Sequence, residues 1–261
     1  MTLRALFSKK WILPGILVIA GMILLARLGI WQLDRLQQKR DFNELMATRW
    51  RMEPYDLNTN ALPEDLKELE YRRVQATGTF DYGNQILITN MAWAGTAGAV
   101  VVTPLVLDGD NGAVLVARGW IPYDQIAKEN WPELEEPPGE PVLGLVRKTQ
   151  ALPNGATATP PPAPQTEWYR IDIPNIQAQM PYPLQPAYIE MLPEPERTVN
   201  DLPIRQEPTP LDDGNHLGYA IQWFTFALIL GFGYIMLVRY QTRRAAGLIK
   251  PADQESITTD A

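Results

Sequence analysis

Two stretches of the chain set aside the alternation of polar and apolar residues. From Leu217 to Val238 there are 22 residues without a charge, which at 1.5 Å rise each cover about 33 Å of helix against a hydrocarbon core of about 30 Å. This pattern predicts a transmembrane helix. Trp11 to Ile30 predicts a second one, with Pro14 in its first turn, where proline is tolerated, and Arg27 near its outer end, where it can snorkel beside Trp31. A cleaved leader is disfavoured, because Leu24-Leu25-Ala26 is a poor small-x-small site. Beyond the first span, Ile30, Leu33, Leu36, Phe42 and Leu45 recur without Gly or Pro until Pro54, so one helix is expected from about Trp11 to Thr48.

After Pro63 the pattern changes to short runs rich in β-branched residues. Arg73 to Phe80, Gln85 to Asn90, Ala99 to Leu107 and Ala113 to Trp120 read as strands separated by turn residues. The turn Asp108 to Gly112 is a strong hairpin signal. Two more strands are expected at Val142 to Lys148 and Ala187 to Met191, with short helices near Tyr123 to Glu129 and Asn175 to Gln179. Consecutive hairpins rather than βαβ units predict an antiparallel β-rich domain, a small barrel or sandwich. Between Pro54 and Pro210 lie 22 of the 24 prolines, and the stretch 151–166 reads as a Pro-rich loop inside the domain. The expected class is therefore an α+β membrane protein with this division: 1–10 N-terminus, 11–30 first span, 31–50 helical extension, 51–215 β-rich domain, 216–238 second span and 239–261 tail.

Charge sharpens that division. The chain of 261 residues carries a net charge of −7, but Asp41 to Asn215 holds 26 acidic and 12 basic residues, a net of −14, and the two ends together hold +7. Arg239, Arg243, Arg244 and Lys250 follow the second span, while Asp212 and Asp213 precede it. The positive-inside rule then puts the C-terminus in the cytoplasm, and two spans put the N-terminus there too. Arg4, Lys9 and Lys10 agree, whereas Arg35, Lys39 and Arg40 point the other way. The acidic domain is expected outside, and an acidic chain is a poor partner for nucleic acid. Only ten residues precede the first span, which is short for a mitochondrial presequence, so a bacterial plasma membrane is the expected location.

Candidate chemistry is sparse. With no cysteine and one histidine, Cys/His zinc sites, Fe–S clusters, disulfides, thiol chemistry and multi-His metal sites are excluded. The carboxylate pairs Glu135-Glu136 and Asp212-Asp213 lie in polar, Pro-flanked stretches and read as solvated faces. A hydrolase built on them has no positive support, and no catalytic residue is expected. His216 opens the second span, and at 100° per residue it shares a face with Tyr219, Ala220 and Trp223. Two readings stay open: an axial ligand above an aromatic stripe that could hold a porphyrin, or a polar residue and belt aromatics at the membrane interface. Gln222, one turn inside the span, is expected to face protein rather than lipid. Arg118, in Arg118-Gly119-Trp120-Ile121-Pro122, is read either as a structural partner of the excess carboxylates or as a recognition residue for an anion.

Taken in order, several fragments resemble the Surfeit-locus-one family, membrane assembly factors of haem-copper cytochrome oxidases. They are Leu28 to Leu36 with Lys39, Tyr71-Arg72-Arg73-Val74 followed by Gly78-Thr79-Phe80-Asp81, Thr103-Pro104-Leu105, Leu115 to Pro122, and Asn215 to Phe224. Ala117 stands where the family commonly has asparagine, and 151–166 matches no family motif. The resemblance implies a role in maturing cytochrome c oxidase subunit I, where haem a is inserted, and in bacterial members a histidine at the start of the second span is thought to bind haem a. Here that position is His216, with Tyr219 and Trp223 as the porphyrin-facing wall and Arg118 as a candidate for a propionate or a partner carboxylate. The expected partners are oxidase subunit I, other assembly factors and the lipid bilayer. A scaffold that docks oxidase subunits without touching haem is the alternative.

Overall fold

A computed structural model describes residues 8–248 except 61, 64, 110, 151, 153–160, 199 and 208–211. Most of the Pro-rich loop expected at 151–166, with the first residues and most of the tail, lies outside the described residues. The chain divides into two compact units, Met1–Glu44 with Leu211–Ala261, and Leu45–Pro210.

The first unit holds one long helix whole and all but the last turns of another. Helix α1 is Lys9–Arg51 and helix α3 is His216–Ala245, so the expected 11–48 helix and the expected second span both form and both run further. Because α1 starts at Lys9, Pro14 falls in the second turn rather than the first. The hydrogen bond its missing amide forgoes would have gone to the carbonyl of Lys10, close to the helix start. Each helix has a window long and apolar enough to cross a membrane. Leu13, Leu17, Leu228 and Phe232 are exposed along them. That surface suits lipid and not water, since a core helix of a soluble protein buries such residues.

The second unit is a nine-stranded sheet: β1 Tyr55–Asp56, β2 Arg73–Ala76, β3 Gly78–Phe80, β4 Ile86–Trp93, β5 Thr96–Leu107, β6 Ala113–Pro122, β7 Val142–Lys148, β8 Glu167–Trp168 and β9 Leu184–Met191. The order is β1-β2-β7-β9-β6-β5-β4-β8, with β3 also paired to β5. The expected antiparallel barrel or sandwich is corrected here to one mixed sheet. The pairs β1–β2, β4–β8 and β6–β9 are parallel. The reason is β9, which returns after a long excursion and inserts between β6 and β7 rather than adding at an edge. Local turn signals reveal hairpins but carry no information about such an insertion.

Inner strands of this sheet are covered on both faces. Val114 and Val116 of β6 join Val74, Leu105, Val146 and Ile189 in one cluster. Leu115 and Ala117 join Ile86, Val102, Tyr188 and Ile176 in the other, where Ile176 comes from the short helix α2, Ile173–Gln177. Double coverage is why the β6 run Ala-Val-Leu-Val-Ala lacks alternation. Each fully buried Val, Leu or Ile contributes about 1.5–3 kcal/mol of transfer free energy. In β6 the pairing steps from Val102↔Ala117 to Val101↔Gly119, so Arg118 is the extra residue of a β-bulge. Gly119 has φ of +143°, and a Cβ there would lie 2.6 Å from the carbonyl oxygen of Ile204. Glycine is needed for the bridge in which Trp120 and Ile204 exchange backbone hydrogen bonds of 2.8 and 2.7 Å.

Candidate functional site

Within the helical unit, the buried positions of α3 are Ala220, Ala227 and Val238, whose separations of two and three helical turns keep them on one face. The Phe224 ring fills the space where a Cβ on Gly29 would lie, 2.7 Å away. Tyr234 donates its hydroxyl to the carbonyl of Trp11 at 2.8 Å. Gln222 is exposed on α3 and does not belong to this face.

The loop entering α3 is tied to α1. Asp213 pairs with Arg40 at 2.8 Å, Asn43 donates to the carbonyl of Asp212 at 2.8 Å, and the Asp212 carboxylate accepts from the amide of Gly214 at 2.8 Å. The Asp212-Asp213 pair, read from sequence as a solvated face, thus anchors the turn before His216. His216 is the first residue of α3 and is half-buried. Its Nδ1 lies 2.8 Å from Oε1 of Gln32 on α1. A Cβ on Gly214 would lie 3.7 Å from His216 Nε2 and 3.5 Å from Cδ2, and Gly214 has φ of +65°. Glycine at 214 therefore both permits the turn and leaves the Nε2 edge of the ring clear of a neighbouring side chain. Tyr219 is half-exposed, and Trp223 packs edge-on to Phe226 with centroids 6.1 Å apart. Ala220, expected on the same face, is buried.

Arg118 lies in the other unit, with no solvent exposure. Its Nε is 3.0 Å from Oε1 of Glu136, and its Nη1 donates to Oε1 of Gln85 at 3.0 Å and to Oγ1 of Thr103 at 3.3 Å. The rings of Phe80 and Tyr82 lie 5.5 and 5.2 Å from the guanidinium carbon, within cation–π range. Glu136 is shared: its Oε2 is 2.6 Å from Nη2 of Arg205, and Arg205 also pairs with Glu194. Burial pushes the Arg118 guanidinium below its ordinary value, opposed by the charge of Glu136. Burial alone would raise Glu136, but the hydrogen bond from Arg205 and the charges of Arg118 and Arg205 outweigh it and hold the carboxyl below its usual range. The carboxylate that Arg118 recognises is thus one of this same chain. A propionate would have to displace Glu136 from a largely buried site.

Sequence reasoning missed Gln32, Glu136 and Arg205. Arg118 amid the apolar β6 run signals that a carboxylate must be near, but the partner sits in a Pro-flanked stretch that reads as solvated. The Glu136 reading is corrected: its side chain is 8% exposed.

Residues 19–228 match the SURF1 family profile, a span that takes in Gln32, Arg118, Glu136, Arg205 and His216. A SURF1-like protein of Monosiga brevicollis is 30% identical over 238 residues, covering 86% of this chain and 87% of that one. Surfeit locus protein 1 of Arabidopsis thaliana is 26% identical over 262 residues, covering 78% and 72%. The cytochrome oxidase assembly protein SHY1 of Saccharomyces cerevisiae is 31% identical over 124 residues, which is 48% of this chain and 31% of that one. The profile and the Monosiga likeness each cover more than two thirds of the chain, and on that ground the chain belongs to the SURF1 family.

Proposed function

We propose that this protein is a membrane-anchored, non-catalytic assembly factor for haem-copper cytochrome c oxidase. It acts at the haem a step of subunit I maturation, where His216 would hold the haem iron. The oxidase role rests on the similarity to the yeast assembly protein SHY1. The haem role rests on one observation above all: the His216 ring is held from its Nδ1 side by Gln32, while its Nε2 edge borders a glycine. The donor set suits a haem better than a bare ion. No group of three or more His, Cys, Asp or Glu able to hold a metal occurs among the described residues, and a porphyrin brings its own four nitrogens and needs only an axial partner. When bound, haem would supply the iron, and Tyr219 and Trp223 would offer aromatic surface beside it.

In this reading both helices span the bilayer, the basic flank Arg239, Arg243 and Arg244 lies in the cytoplasm, and the acidic β unit projects to the other side. Arg118 serves the β unit itself through its ion pair with Glu136. The test is the absorption spectrum of the full chain purified in mild detergent from cells making haem a. A Soret band is expected in the wild type and is lost in His216→Ala. No Soret band in either leaves a scaffold that docks oxidase subunits without touching haem.

A further inference from the structure

We infer that Gln32 is a positioning residue that selects the tautomer of His216, placing the ring proton on Nδ1 and leaving the lone pair on Nε2. The inference deepens the haem reading above and rests on it for its purpose, though the tautomer itself is measurable without haem.

A neutral imidazole has one N–H and one lone pair, and the partner of one nitrogen decides which nitrogen carries the proton. Gln32 presents Oε1, an acceptor only, at 2.8 Å from Nδ1. Nδ1 must then be the donor. Nε2 becomes the basic nitrogen, which is the form required of a metal ligand, and a hydrogen bond on the far nitrogen raises ligand basicity and fixes the ring plane. The same pairing turns the Nε2 edge toward Gly214, where a side chain would come within 3.7 Å of that atom. The pair also joins the two helices: Gln32 lies on α1, four residues before the buried Leu36, and His216 opens α3. Ring orientation is thus set across the helix pair rather than by His216's own helix.

That His216 is the only histidine in the chain makes the test direct. The full chain in detergent, labelled with 15N at histidine alone, gives one pair of ring nitrogen signals. Two-bond couplings from the ring nitrogens to the ring carbon protons, recorded in alkaline buffer, identify the protonated nitrogen. Wild type is expected to show protonated Nδ1. Gln32→Leu, which keeps the volume and removes the acceptor, is expected to shift the population to protonated Nε2, and Gln32→Glu, which restores an acceptor oxygen, to return it to Nδ1. Protonated Nε2 in the wild type overturns the inference, and so does an unchanged tautomer in Gln32→Leu. A parallel haem a titration is expected to show roughly tenfold or greater weakening in Gln32→Leu. A wild type with protonated Nδ1 that takes up no haem defeats the haem reading and leaves the tautomer assignment standing.

Discussion

Arg205 donates from Nε to the backbone carbonyl of Arg118 at 3.0 Å, joining positions 87 residues apart. The acceptor belongs to the extra residue of the β6 bulge, a backbone group displaced from the regular ladder. One guanidinium therefore closes the bulge, shares Glu136 with the bulged residue's own side chain, and reaches Glu194. Two arginines and two glutamates act as one unit, in which removal of any member strands another.

Glu136→Gln is expected to destabilise the protein by about 3–5 kcal/mol near neutral pH, the cost of leaving buried charges without their partner. The sign with pH follows from the lowered carboxyl of Glu136. Its stabilisation is present above the ordinary carboxylate range and is lost as pH falls through the depressed folded value. Thermal unfolding in detergent should show the two proteins converging toward acid pH. Parallel curves at all pH values would contradict the assignment.

Arg118→Lys separates a structural role from a ligand role. Lysine lacks the planar fork that bonds Glu136, Gln85 and Thr103 together, so the variant should lose about 2 kcal/mol or more of stability. Haem content per folded molecule should stay at the wild-type level. A loss of haem with unchanged unfolding would return Arg118 to the binding machinery.

Tyr182 donates its hydroxyl to Oδ2 of Asp81 at 2.7 Å across 101 residues of sequence. Burial and this bond raise the tyrosine pKa. Tyr182→Phe keeps the ring and removes the bond, and should cost about 1.5–3 kcal/mol, the range for a hydrogen bond to a charged group. Urea unfolding followed by tryptophan fluorescence reads it directly.

Gly29→Leu should force α1 and α3 apart, since Phe224 occupies the space a side chain there would need. The chain has no cysteine, so cysteines placed at Met22 and Gly231, which adjoin across the seam, report proximity through a short bis-maleimide. Cross-linking is expected in the parent and to fall severalfold in Gly29→Leu. Phe224→Ala in the same chain should restore it.

The parts legible in the sequence are those set by neighbours along the chain. The charge-free run Leu217 to Val238 announced α3, and the Gly- and Pro-free continuation past Trp31 announced the length of α1. The turn at Asp108 to Gly112 announced the β5–β6 hairpin. What stayed hidden depends on residues far apart. β9 takes its parallel place beside β6 because of what it covers, and Ala187 to Met191 alone cannot say so. Glu136 looked solvated because its Pro-flanked surroundings are exposed, although its own carboxylate turns inward to Arg118 and Arg205. His216 was legible because a lone histidine at a helix start is conspicuous, whereas a glutamine such as Gln32 gains meaning only from the atom opposite.

The separation of 184 residues between Gln32 and His216 also has a consequence for biosynthesis. A ribosome releases α1 before the sheet and α3 after it, so the helix pair cannot close until the sheet's strands have been made. A product truncated between Met191 and residue 216 would carry α1 and all nine strands but no imidazole. In the proposed role, haem capture is in this way reserved for chains that already contain α3, and a shorter chain could not compete for haem.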